Sequence, residues 1–430
     1  MTSPVQKPQA HWPYRYVRRR WCVLFAAIDW LGACAVSAGR ALKRLFSGTP
    51  SSAPVGPPSV DETKSILLVQ LDHLGDAIIT TAMLPVLREH FPHARIEVLA
   101  APWNAEVFRA AAEVDRVHVS RVNRFARGSL AKLAWIPATF WWGWKLRRRK
   151  IDLAIDVRGE FPMALMLWLS GSRRRLGWNC GGGRFLLTGS PRYVPDRPEL
   201  QSRMALLAEL LPEGSIGDRL APPKFRVDED TRRRMSQAIG DDQRPLAVLH
   251  VSAGTTAKQW ATAGWQELLW RLTAERNMRV VLVGGKQDRT AAAEILQGDN
   301  WPLVDDWTGR MSLGELAAAL QLADVFIGAD SGPAHLAAAV DTPTVVLFSG
   351  TNQPRQWQPR GRRVEVVRTE VDCSPCHRSR CNVSGHPCMN QITASAVLAA
   401  VEEIIEDKRT VSAQETPELH TVVKEMTPTG

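Results

Sequence analysis

The chain has 430 residues, of which 45% are hydrophobic and 23% charged, and its formal net charge is +10. That length is more than one core usually holds and implies two domains plus tails, and the composition excludes wholesale disorder. The positive balance favours anionic partners (nucleic acid, phosphorylated substrates or an acidic membrane surface) without choosing among them.

Residues 1–60 read as a basic, partly apolar extension and linker. Arg15, Arg18, Arg19 and Arg20 precede an apolar stretch from Trp21 to Ala38, broken by Asp29 and followed by Arg40, Lys43 and Arg44. A secretory signal has a shorter apolar region and a small-residue cleavage site. A spanning helix needs about 20 apolar residues, and a central Asp costs ~2.5–3.5 kcal/mol there. The pattern suits an amphipathic helix lying in a membrane surface, or equally a helix packed on the protein's own surface. Residues 47–60, rich in Ser, Pro and Gly, read as the linker.

A first domain is expected over 61–235. Ile66 to Val69 reads as a buried parallel strand, Ala77 to His90 as a helix, and Ile96 to Ala100 as the next strand, with Leu153 to Val157 a later one. This βαβ pattern predicts a doubly wound α/β sheet. Between the first strand and helix lies Leu74-Gly75-Asp76. A Gly there lets the backbone approach a ligand, and Asp76 can act as a base or simply cap the helix. Trp135 to Lys150 combines Trp135, Phe140, Trp141, Trp142 and Trp144 with Lys145 and a basic run. That mixture suits a bilayer interface, although a core helix with a basic end gives the same pattern.

A second domain is expected over 236–408, with residues near 221–245 bridging the two. Strands are predicted at Leu246–Val251, Val280–Val283, Val325–Ile327 and Thr344–Phe348. Helices are predicted at Trp265–Glu275, Thr290–Leu296, Leu313–Leu322, Gly332–Val340 and Val397–Ile405. The first strand is followed by Ser252-Ala253-Gly254-Thr255-Thr256-Ala257-Lys258, whose small and hydroxylated residues suit a phosphate. The spacing is not that of a Walker loop. Asp330-Ser331-Gly332-Pro333-Ala334-His335 sits at a strand-to-helix turn, where free N–H groups and the helix dipole attract an anion. Taken alone, His335 also fits a satisfied core histidine. Asp305-Asp306 is not a D-x-D metal motif. Of the seven Cys, four cluster as Cys373, Cys376, Cys381 and Cys388. The spacing suits a structural zinc or iron site, with free buried thiols or a redox pair as competitors. The tail over 409–430 is expected to be disordered.

Four segments carry a resemblance: Gln70 to Ala77, Ala257-Lys258-Gln259-Trp260, Asp306-Trp307-Thr308-Gly309, and Asp330 to His335. They resemble glycosyltransferase family nine, the lipopolysaccharide heptosyltransferases, from about Ser65 to Ile405. The resemblance implies a GT-B fold, two Rossmann-like domains facing each other across a cleft, with acceptor on the first and nucleotide sugar on the second. It implies inverting transfer with no cofactor and no metal at the reacting centre. It implies Asp76 as general base, and Thr255, Thr256, Lys258, Ser331, Gly332 and His335 around the donor diphosphate. Asp330 matches the acid of that loop, and Asp288 lies where an acid reaches the ribose. The implied donor is ADP-heptose, and the acceptor a lipopolysaccharide core or related lipid-linked glycan. The enzyme would then sit in the cytoplasm, peripheral on the inner face of the cytoplasmic membrane. The N-terminal extension is outside the family's core, and the Cys cluster is absent from some members.

Other classes fit less well. An NAD-dependent oxidoreductase wants G-x-G-x-x-G after a strand, and none stands there. A nucleotide-sugar epimerase of the same fold would release free sugar. An inactive membrane-associated scaffold would not need Asp76, Lys258 and His335 together. No motif supports nucleic-acid binding.

Overall fold

A computed structural model describes residues 19–47, 58–121, 135–212, 221–298, 300–411 and 420–426, with backbone alone for 19–21, 39–47, 407–411 and 420–426. The chain forms two compact units, Met1–His73 with Thr80–Ala221, and Leu74–Ile79 with Pro222–Gly430.

The first unit is built on five parallel strands, β1 Ser65–Gln70, β2 Arg95–Ala100, β3 Arg116–Val119, β4 Leu153–Asp156 and β5 Arg174–Gly177. Their order is β3-β2-β1-β4-β5. Every residue of β1 and β4 is buried, which is why both read as unbroken apolar runs. The helices are α1 Arg19–Ser47, α2 Leu74–Thr81 (whose Leu74–Ile79 part belongs to the second unit), α3 Met83–His90, α4 Ala105–Arg109, α5 Trp135–Arg147, α6 Phe161–Leu169 and α7 Glu199–Ala208. The single helix expected over Ala77–His90 is therefore two, divided at Ala82, and its first turn starts at Leu74. Helices α5 and α6 cover one face of the sheet, where Trp142, Leu146, Met163 and Leu167 pack on Leu67, Val69 and Ala154.

The N-terminal apolar stretch lies within α1, and one face of it docks on this unit. Cys22 is buried, the Phe25 ring lies 6.0 Å from that of Phe161, and Gly183 N–H donates to Asp29 Oδ1 at 2.7 Å. Gly182 and Gly183 both have positive φ, and a Cβ on Gly182 would collide with Phe25. The residue that interrupts the apolar run is thus the helix's anchor. Among the described residues, no helix is long and apolar enough to cross a membrane.

The second unit holds seven parallel strands in the order β12-β11-β10-β9-β6-β7-β8. They are β6 Leu246–His250, β7 Arg279–Val283, β8 Val304–Asp306, β9 Val325–Ala329, β10 Thr344–Leu347, β11 Arg363–Thr369 and β12 His420–Met426. Its main helices are α8 Glu229–Ile239, α9 Thr262–Trp270, α10 Arg289–Leu296, α11 Leu313–Leu322, α12 Gly332–Ala339 and α13 Ala394–Val411. Asp228 caps α8 through the Thr231 N–H, and Ser312 with Glu315 forms a capping box on α11, which fixes both helix starts.

The two units meet at Ala221 and Pro222, inside the bridge expected near 221–245, and Met235 of α8 packs on Ala318 and Ala319 of α11. The segment expected as a disordered tail from 409 includes the end of α13 at Val411 and, at His420–Met426, a strand in parallel register with β11. That short strand has no strong pattern of its own and is defined by the backbone edge of β11.

Buried charge ties the first sheet to α5. Glu97 of β2 is fully buried and accepts hydrogen bonds from Arg95 Nε at 2.5 Å and Arg149 Nη2 at 2.5 Å, with His118 Nε2 at 2.6 Å. Burial alone would raise its carboxyl, but the bonds from His118, Arg149 and Arg95 outweigh burial and hold it at about 2. A depressed carboxyl stabilises the fold above its unfolded value and loses that effect as pH falls through the folded one. Glu97→Gln should therefore cost about 3 kcal/mol at pH 7 by that shift. Urea midpoints should show the difference from wild type narrowing as pH falls from 4.5. A difference that stays constant with pH would place the loss in packing.

Candidate active site

In the second sheet β6 lies beside β9, yet β6 leads to β7 and β8 on one side and β9 to β10 and β11 on the other. The crossovers leave in opposite directions, so the carboxyl ends of β6 and β9 stay uncovered, and ligands of such sheets bind at this point. The loops that emerge there are the one ending at Lys258 and the one beginning at Asp330.

Lys258 closes the short turn Thr256–Lys258. Its Nζ lies 2.5 Å from Asp330 Oδ2 and donates to the Asp330 carbonyl at 3.1 Å. Asn352 Nδ2 donates to the same carboxylate at 3.2 Å. Asp330 is buried and Lys258 keeps part of its surface. A buried carboxylate needs such a partner, and the pairing holds the cation where an anion can reach it. Beside it, the hydroxyl of Thr255 is buried with no hydrogen-bond partner among the described residues, and so is that of Thr308 at the end of β8. Both hydroxyls follow strands whose carboxyl ends lie at this edge of the sheet. Thr256 instead bonds the Ser379 carbonyl at 3.3 Å.

Ser331 is the N-cap of α12, and Pro333 occupies a first-turn position where its missing N–H costs nothing. The Ser331 hydroxyl makes no cap bond. It lies 3.4 Å from His250 Nδ1, and His250 Nε2 lies 3.6 Å from Asp288 Oδ2. Asp288 also accepts from the Gly285 N–H at 2.7 Å. Burial would raise the Asp288 carboxyl, but bonds from His250, Ser252 and Gly285 outweigh it and hold it below the ordinary range. The structure thus turns Asp288 inward, where it shapes the Gly284-Gly285 turn and orients His250.

His335 is buried one turn into α12. Burial, with a smaller push from Lys258 and against the pull of Asp330, drives its imidazole down to about 4. The ring is neutral at pH 7 and can donate one N–H, not a charge. The segment Leu74–Ile79 belongs to the same unit. A Cβ on Gly75 would lie 2.8 Å from His335 Cδ2, and one on Gly332 would lie 2.8 Å from Leu74 Cβ. These two glycines let the first turns of α2 and α12 touch, which brings Asp76 next to the His335 neighbourhood.

In the first unit the order reverses between β1 and β4. There Arg158 pairs with Asp72 and Glu160, Asp156 accepts from the N–H groups of Arg158 and Gly159, and Trp103 Nε1 donates to the Asp72 carbonyl at 2.8 Å.

The four clustered cysteines lie in the loop after β11. Cys373 is exposed, Cys376 and Cys381 are half-buried, and Cys388 is buried. Among the described residues, no three His, Cys, Asp or Glu side chains come close enough to hold a metal. Burial, and then the other thiols, push Cys373 and Cys388 up, so both are neutral thiols at pH 7. The loop also braces the Lys258 turn: Ala257 N–H donates to the Ser379 carbonyl at 3.2 Å, and His386 Nε2 lies 3.1 Å from the Ala257 carbonyl. Sequence reasoning missed His250, Asn352, His386 and Arg158. Their only signal was position at or near the carboxyl end of a strand, or in a loop that folds back over 100 residues.

A family model described as glycosyltransferase family 9 (heptosyltransferase) matches residues 142–386. Lipopolysaccharide heptosyltransferase 3 of Escherichia coli is 26% identical over 345 residues, 78% of this chain and 98% of that protein. A glycosyl transferase family 9 structure from Veillonella parvula superposes with a TM-score of 0.69 at 20% identity, covering 82% of this chain and 100% of its own. The structure of E. coli ADP-heptose lipopolysaccharide heptosyltransferase II does so with 0.66 at 22%, covering 80% and 99%. The shared fold is GT-B, two Rossmann-like units.

Because the His335 ring charges only near pH 4, lowering the pH from 7 to 5 should leave the affinity for a nucleoside diphosphate sugar unraised by this residue. Calorimetric titration across that range checks it. An affinity that climbs through pH 6.5 in wild type but not in His335→Gln would mean that the imidazole binds as a cation.

Proposed function

This chain belongs to glycosyltransferase family 9, the heptosyltransferase family, and we propose that it transfers heptose from ADP-heptose to a lipopolysaccharide core or related lipid-linked glycan, with inversion. The single observation that carries the reading is the Lys258–Asp330 pair at the β6/β9 reversal, beside the start of α12 and the unpartnered Thr255 hydroxyl. This arrangement suits a diphosphate.

The donor's diphosphate lies against Lys258, the Ser331 hydroxyl and the Gly332 end of α12, with Thr255 and Thr256 alongside. Asp330 and Asn352 keep Lys258 in place. Asp76 takes the proton of the acceptor hydroxyl, and that oxygen attacks the anomeric carbon from the face opposite the leaving group. The bond from anomeric carbon to diphosphate oxygen breaks, and its electron pair leaves with ADP. Negative charge grows on that oxygen. Lys258, the neutral His335 N–H and the positive end of α12 stabilise it. Asp288 acts on the nucleoside side through the Gly284-Gly285 turn and His250.

Four thiols within sixteen residues have the donor chemistry of a zinc or iron site, and a structural metal there belongs to this proposal. Its binding would require the thiols to deprotonate and draw together. Because the acceptor is lipid-linked, the enzyme works at the inner face of the cytoplasmic membrane.

Asp76→Ala should abolish transfer, a loss of at least about 100-fold, while ADP-heptose still raises the melting temperature. Lys258→Ala should lose that thermal shift. A wild-type response to UDP-, GDP- or dTDP-sugars but not to ADP-heptose would move the enzyme to another glycan, and unchanged turnover in Asp76→Ala would remove the base assignment. Elemental analysis of protein purified without chelator should find about one zinc or iron per chain, lost when Cys376 and Cys381 are replaced by Ser; a metal-free wild-type protein would reduce the cluster to thiols.

A further inference from the structure

Helix α1 is docked by one face only. Its inward residues are Cys22, Phe25 and Asp29, the last bonded to Gly183. The opposite face exposes Val23, Leu24, Trp30 and Leu31, with Trp30 68% exposed. The same surface layer carries a second apolar stripe. Helix α5 buries Thr139, Trp142 and Leu146 and exposes Ile136, Phe140 and Trp144 at every fourth position, with Trp141 beside them. The adjoining α6 exposes Trp168. Phe161, the first residue of α6, is the one that Phe25 of α1 meets, and Leu169 at its other end packs at Gly143 of α5. The three helices are therefore neighbours in one layer.

The exposed charges of α5 are all basic, and the nearest acid, the α6 N-cap Glu160, is paired with Arg158. Neither α5 nor α6 contains an acidic residue, and the only acid of α1, Asp29, points inward. Lys145 Nζ sits 4.6 Å from the centre of the Trp141 ring, and the Arg148 guanidinium 4.2 Å from that of Trp144. Arg147 is exposed beside them. Tryptophan rings that carry cations at their rim match the boundary between acyl chains and anionic headgroups. A water-facing helix would not expose this many large aromatics.

We infer that the first unit docks on an anionic lipid bilayer through the outer face of α1 and the Ile136–Trp144 stripe of α5, with Trp168 between them. Asp29 makes this possible: by bonding to Gly183 it withdraws the acid that would resist insertion of the α1 face. The apolar residues enter the headgroup boundary and Lys145, Arg147 and Arg148 meet the phosphates. The inference rests on the lipid-linked acceptor only for its purpose, since vesicle binding needs neither donor nor acceptor.

The test is flotation of the full chain with vesicles of phosphatidylcholine alone or mixed with phosphatidylglycerol. Wild type should float with the anionic vesicles, less so at high salt. The pairs Trp30→Ser with Leu31→Ser, and Phe140→Ser with Trp144→Ser, should each lower partitioning by about tenfold or more. Each pair should keep the wild-type thermal shift with ADP-heptose, which shows that it folds. Independently of any variant, brominated acyl chains should quench wild-type tryptophan fluorescence. Absence of flotation with anionic vesicles, equal flotation by the variants, or a wild-type dimer that the variants dissolve would each overturn the inference. The last result would make the face a contact between two copies. Such an outcome leaves the transfer reading intact, and an enzyme that floats but transfers nothing fails only the transfer reading.

Discussion

In the second unit β6 and β9 are paired, but the chain leaves their carboxyl ends in opposite directions, and the chemistry of the unit depends on what fills that open end. In a parallel sheet covered on both faces, such a reversal is where strand carboxyl ends stand open to a ligand. Asp330 is carried there by β9 and is buried by its neighbours, so it requires a positive partner. Lys258 arrives from β6 as that partner. The same ion pair that satisfies the buried acid leaves a cation facing outward, and the turn that presents it is held by Ser379 and His386 from the cysteine loop. In the proposed reading, the pair that satisfies the buried acid is also the one that meets the donor's diphosphate.

Two glycines extend this constraint. Gly75 and Gly332 permit the first turns of α2 and α12 to approach at contact distance, so two positive helix ends share one small region. Burial of His335 beneath them removes what would be a further charge. Helix dipoles and Lys258 therefore polarise the region, with no charge from His335. Such a preorganised field needs little rearrangement as charge develops on a leaving diphosphate.

Much of this was legible in the sequence, and the reasons differ by residue. The apolar runs of β1, β6, β7 and β10 announce themselves because parallel strands are buried on both faces. Asp330-Ser331-Gly332 was legible because a small-residue turn between strand and helix has few other uses. The edge strands β3 and β5, Arg-Val-His-Val and Arg-Arg-Leu-Gly, were not, since half-exposed edges carry charge and no periodic signal. His250 and Asn352 were invisible because their partners lie 81 and 22 residues away. Asp29 was read as an obstacle to membrane spanning, and only the fold shows it as a peg. The resemblance pointed to Asp288 as an acid near the ribose, and the fold adds contacts the sequence does not announce, with the Gly285 N–H and His250.

Among the described residues the strand β12 is the last element, and it pairs with β11 at one edge of a seven-stranded sheet. While the protein is being made, Arg363–Thr369 leaves the ribosome long before residues 420–426 do. During that interval the sheet presents an open parallel edge, flanked by valines, to any passing strand. A chain trimmed after α13, a natural choice for anyone removing an apparently useless tail, would leave β11, buried along most of its length, as the exposed edge. The cost of such trimming would appear as aggregation during expression, in a protein whose reacting groups are all still present.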